Sequence, residues 1–117
     1  MRFPYVRLPT RHRVFPLGGA TVRYRPTVAL RVAGRGGSRI LDAKLDSGSD
    51  GTLLPAYLAA RLGIDLAGAA EGEARAVGGV SVPYRYAQVA LRVTDGYEEC
   101  EWRAIAGFVS APMRWAI

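Results

Sequence analysis

The sequence predicts a small all-β domain with one short helix, built as a closed barrel or a sandwich. Three observations predict it. From residue 26 onward apolar residues recur mostly at every second position, the period of a half-buried strand. The alternating stretches are separated by clusters rich in glycine, which mark turns. Only one segment carries helix punctuation at both of its ends. A length of 117 residues suits one domain with a modest core.

Taken in order, Val28, Leu30 and Val32 alternate with Thr27, Ala29 and Arg31, and Gly34-Arg35-Gly36-Gly37-Ser38 makes a turn. Leu41, Ala43 and Leu45 then alternate with Asp42 and Lys44, so 27–33 and 39–45 read as a hairpin that ends at Asp46. Pro55 suits the first turn of a helix, 57–62 continues it, and Gly63 stops it as the residue just past the end, giving about two turns. Glu71 to Val77 and Val80 to Tyr86 flank Gly78-Gly79 as a second, glycine-tipped hairpin. Ala87, Val89, Leu91 and Val93 form one apolar face, closed by Thr94-Asp95-Gly96. Cys100, Trp102 and Ala104 alternate with Glu99, Glu101 and Arg103 in a last strand, on which Cys100 is expected to face the core.

The formal charge of +6 is unevenly placed. Residues 1–25 hold six arginines and no acid, whereas residues 26–117 hold ten basic and ten acidic residues. The chain therefore divides into a basic N-terminal arm, 1–24, and a neutral domain, 25–117. Arginines interleaved with Phe3, Tyr5, Phe15 and Tyr24 could track a phosphate backbone. The simpler reading is a partly ordered extension whose charge aids solubility, and on that reading nucleic acid is not an expected partner. His12 lies in this arm and is read as solvated. No apolar run approaches the ~18 residues that would span a bilayer, so no membrane partner is expected. The N-terminus lacks the apolar stretch of a signal peptide, and a single cysteine, Cys100, suits a reducing compartment; a cytoplasmic location follows as the expectation. Cysteine and histidine do not occur at ligand spacing, so neither metal nor other cofactor is expected.

The segment with most chemical content is 40–55. An apolar strand delivers one carboxylate, Asp46, onto a Ser47-Gly48 turn, after which the chain returns to apolar Leu53-Leu54. A carboxylate at the mouth of a loop between strands is suitably held for acid–base work. Asp-Ser-Gly alone also describes an ordinary surface turn.

In this context the chain resembles the retropepsin-like aspartic proteases, the type with one catalytic motif per subunit. Arg25-Pro26-Thr27-Val28, the segment Leu41 to Pro55, and Ala76-Val77-Gly78-Gly79-Val80 carry the resemblance, in order and at family-like spacing over residues 25 to about 110. It implies a small closed barrel of the acid-protease type and an aspartic endopeptidase activity. Asp46 would be catalytic, Ser47 and Gly48 would support its loop, and Asp50 would bind substrate main chain. Val77, Gly78 and Gly79 would form a lid over an extended peptide. Two carboxyls within about 3 Å share one proton and so serve as base and acid together; the aspartic-protease pair is the standard instance of this chemistry. With one Asp-Ser-Gly, the second aspartate must come from another copy across a twofold axis, so the expected partners are a peptide or protein substrate and a second identical chain. The alternative function is a catalytically inactive module of the same fold, used for peptide binding or self-association. In the family the chain continues beyond the position of Trp115-Ala116-Ile117 into elements that build much of the dimer interface. This form is accordingly expected to be a weak dimer or a monomer with low activity.

Overall fold

The computed structural model describes residues 1–75 and 81–110, with backbone alone at 74 and 75. The described chain is mostly strand with one short helix, as the alternation predicts. Two antiparallel strands, β1 (Val6–Val14) and β2 (Ala20–Arg25), form a separate hairpin sheet. The larger sheet contains β3 (Thr27–Gly34), β4 (Gly37–Lys44), β5 (Leu53–Pro55), β6 (Glu71–Arg75), β7 (Ser81–Thr94) and β8 (Glu99–Val109). Its order is β4-β3-β7-β8-β5, with β6 added against β7.

This path is open: among the described residues β4 and β5 end the sheet without pairing to each other, so the expected closed barrel does not form. The reason lies in β5, which is three residues long and pairs only with β8, in parallel. The helix α1 (Tyr57–Arg61) contacts both terminal strands, β4 and β5, and its Leu58 and Ala59 join Leu62 in the same buried cluster as Ala43 and Leu54. Helix packing thus covers the core face where a barrel would have used hydrogen bonds.

The β3–β4 hairpin has an unbroken register from Thr27↔Lys44 to Gly34↔Gly37. Its turn docks on the helix end, where the Gly36 N–H donates to the Leu62 carbonyl at 2.9 Å. Gly63 is left-handed at φ +68°, and a Cβ there would meet Gly36 N at 2.8 Å, so glycine is required both for conformation and for contact. The helix itself is shorter than the sequence suggests. Pro55 completes β5, Ala56 takes the cap position, and five residues are helical.

One strand, β7, replaces the two stretches read separately from the sequence. No turn residue interrupts Tyr86-Ala87, so its 14 residues run on and serve three partners: β6 through 81–85, β3 through 90–92 and β8 through 84–94. The core follows the alternation: Val28, Leu30, Val32, Val89, Leu91, Ala106 and Phe108 are buried between the sheet and α1. Fully burying a side chain such as Phe108, Leu54 or Leu62 contributes about 1.5–3 kcal/mol. Cys100 is exposed, not in the core as its alternation predicts. Its parity is right, because it pairs with Val93, and Trp102 pairs with Leu91. But β5 flanks β8 only at Gly107–Val109, so the first half of β8 extends past the covered core.

The basic arm is also more ordered than expected. It forms the β1–β2 hairpin, whose residues stay mostly exposed and whose register shifts between Pro9 and Val14. A 3-10 turn at Phe15–Leu17 leads into Gly18 and Gly19, both left-handed. Phe3 packs against the main core. The Met1 amino group lies 3.3 Å from Glu98, and the Arg2 N–H donates to Asp95 Oδ2 at 3.0 Å, fastening the chain start to the β7–β8 turn. No helix among the described residues is long and apolar enough to cross a membrane.

Candidate active site

Asp46 stands where strand pairing stops. The Leu45 N–H donates to the Pro26 carbonyl at 2.8 Å, which carries the β3–β4 ladder one step past Lys44. Asp46 then folds the turn with its own atoms. Its Oδ1 accepts the Gly48 N–H at 2.9 Å, and its carbonyl accepts the Ser49 N–H at 3.1 Å. The Ser49 hydroxyl donates to the Gly51 carbonyl at 2.6 Å, and the Gly107 N–H donates to the Thr52 carbonyl at 2.9 Å, drawing the chain into β5 beside β8. The carboxylate is therefore oriented through Oδ1, while Oδ2 has no protein partner among the described residues.

Asp46, Ser47, Gly48 and Asp50 all lie exposed on this one loop. A Cβ at Gly48 would stand 3.3 Å from Asp46 Oδ1, so glycine leaves the carboxylate room to keep its bond. Asp50 projects to solvent. The β6–β7 hairpin pairs from Glu71↔Arg85 to Arg75↔Ser81. The expected lid residues Val77, Gly78 and Gly79 fall outside the described residues.

Two features of the site were not read from the sequence. Ser49, rather than Ser47, closes the loop through its hydroxyl; a serine two residues before a glycine carbonyl gives no distinctive signal. Tyr84 and Tyr86 share one face of β7, with hydroxyls 2.9 Å apart and rings edge-to-face at 5.0 Å. The hydrogen bond with Tyr86 raises the Tyr84 phenol above its ordinary value. A Cβ at Gly107 would come within 2.7 Å of Tyr84 and 2.9 Å of Leu53, so Tyr84 borders the β5 end of the Asp46 loop. The available signal was Gly107 itself, since a glycine inside a strand marks close approach.

Next to the loop's start, a hollow of about 230 Å³ is lined by Phe3, Tyr5, Pro26, Val28 and Leu45, so the N-terminal segment borders the approach to Asp46. Among the described residues no three His, Cys, Asp or Glu side chains converge as a metal-ligand set. The arrangement presents one ordered, solvent-facing carboxylate beside a strand edge. It can donate or accept a proton, and it can do so in concert only with a second acid. No protein-family model, curated protein or solved structure matches this chain.

Proposed function

We propose that this chain is a retropepsin-like aspartic endopeptidase that acts as a homodimer. The observation that carries the reading is Asp46, oriented by the Gly48 N–H and exposed at the point where the β3–β4 ladder ends. Two such loops related by a twofold axis would bring two Asp46 carboxyls together, and repulsion would leave one of them protonated. The ionised Asp46 takes a proton from water, whose oxygen attacks the peptide carbonyl carbon. The protonated Asp46 gives its proton to the carbonyl oxygen. Collapse of the resulting diol breaks the C–N bond, and the departing amine takes up a proton. An extended peptide would bind along the loop with its main chain hydrogen-bonded, the β6–β7 hairpin lying over it.

The test is cleavage of a peptide library between pH 4 and 7 by the native chain and by Asp46→Asn, with and without EDTA. The proposal expects acid-favoured cleavage that the chelator leaves unchanged, a specific activity that rises with protein concentration, and loss of cleavage in Asp46→Asn. Peptide binding without cleavage by the native chain would instead support the inactive peptide-binding module. Inhibition by EDTA, reversed by zinc, would overturn the aspartic mechanism.

A further inference from the structure

The six arginines of the N-terminal segment do not simply coat an extension. The hairpin folds Arg11 and Arg13 from β1 and Arg23 and Arg25 from β2 around one hollow of about 710 Å³, which Lys44 of β4 closes on the side of the main sheet. His12 also lines it, and no acidic residue does. The first acid in the sequence is Asp42, and among the described residues the ion pairs involve Met1, Arg85 and Arg92 alone. Five positive charges therefore converge on a concave surface without a counter-charge among the described residues. Such a surface gathers and holds a polyanion.

The rest of the hairpin narrows the class of polyanion. Phe15, in the turn that joins β1 to β2, is 92% exposed, whereas Tyr24 pairs with Arg7 and, alternating with Arg23 and Arg25, projects from the face away from the hollow. Large rings in water offer nothing to a chain of carboxylates, but they stack on unpaired bases, and arginine binds phosphate in a fork. We infer that the β1–β2 hairpin and Lys44 form a binding site for single-stranded nucleic acid, with the phosphate backbone in the basic hollow and a base stacked on the exposed Phe15 ring at the hairpin turn. This replaces the solubility reading of the arm and is independent of whether Asp46 cleaves peptides.

The experiment is fluorescence anisotropy of a labelled oligo-dT against salt concentration, using the full chain. For single strands log K falls by about 0.7 per neutralised phosphate, so five contacts predict a slope near −3.5. The triple variant Arg11→Ala/Arg13→Ala/Arg23→Ala should reduce that slope to about −1.4. A control with the same charge change outside the hollow, Arg35→Ala/Arg39→Ala/Arg103→Ala, should keep the slope of the native chain. Circular dichroism on both variants establishes that each is folded; if the triple variant is not, Arg23→Ala alone should lower the slope by about 0.7. Phe15→Ala should weaken binding about tenfold at high salt and Phe15→Tyr should restore it, whereas Tyr24→Ala on the far face should leave it unchanged. Equal loss in the two triple variants, or poly-glutamate competing as well as oligo-dT, would overturn the inference.

Discussion

Three aspartates head tight turns in this molecule, Asp46, Asp65 and Asp95, and Asp95 and Asp46 are used in opposite ways. Asp95, in the turn between β7 and β8, is saturated: its Oδ1 accepts the Tyr97 and Glu98 N–H groups, and its Oδ2 accepts Arg2 from the chain start. Asp46, between β4 and β5, accepts the single Gly48 N–H through its side chain. Sequence chemistry is the same in both, a short acid bonding backbone two residues on. What differs is whether the second oxygen is consumed by the fold. A carboxylate bonded on both oxygens is a staple; Asp46, like Asp65 with its single Ala67 N–H, is oriented on one oxygen and open on the other, and what sets Asp46 apart is its place at the end of the β3–β4 ladder.

The largest expected effect breaks the comparison at Asp46. Asp46→Asn keeps an oxygen for the Gly48 bond and removes the proton exchange, so peptide cleavage should fall by at least ~10³-fold. The melting temperature should be nearly unchanged, because the residue is exposed and its turn bond survives. A large loss of stability in this variant would mean that Asp46, like Asp95, is a staple.

Asp95→Ala is the converse. It removes three acceptor contacts and releases Arg2, and with Arg2 the segment that carries Phe3 onto the core. The melting temperature should drop, and amide exchange should speed at Arg2, Tyr97 and Glu98 more than in β3 or β4. Comparable exchange throughout the sheet would show that the N-terminal segment is not a separate unit held by this turn.

The same contacts give Asp95 a distinct acid response. The backbone N–H of Glu98, then those of Arg2 and Tyr97, lower its pKa from 3.8 to about 2. The folded state thus binds its proton less readily than the unfolded chain. The stabilisation is complete above about pH 4 and fades as pH falls toward 2, so stability rises with pH across that window. The chain start accordingly stays fastened throughout the mildly acidic range in which an aspartate pair would work. An NMR titration of the Asp95 carboxyl giving a midpoint near 4 would refute this.

Much of this was legible in the sequence because local and global signals agreed. Alternation gave β3, β4 and the apolar face of β7, and Gly63 gave the helix end. Asp46 was placed on its loop by the alternation that stops at Leu45. The illegible parts depended on partners far along the chain. Cys100 has the right parity for the core, but only the extent of β5 decides where the core ends. The arm's arginines read as a solvated extension because nothing local says that the register of β1 against β2 will wrap them around a hollow with Lys44. The open sheet followed from β5 being too short to reach β4, which periodicity over three residues cannot reveal.

The smallest expected effect sharpens the comparison inside the Asp46 loop. Gly48 does not have a positive φ, so Gly48→Ala brings no backbone strain, and it reduces the freedom of the unfolded chain. Stability should stay level or rise by about 0.5 kcal/mol. The new methyl group would sit 3.3 Å from Asp46 Oδ1, closer than is comfortable, and the mobile partner is the carboxylate. It must shift by a few tenths of an ångström, which in a site that depends on the alignment of two carboxyls should lower kcat by up to ~10-fold. Measured together, an unchanged melting temperature and a reduced kcat would show that glycine is kept for the carboxylate's orientation. If kcat holds and stability falls, Gly48 serves the turn alone, and Asp46 needs less precise support than its single bond suggests.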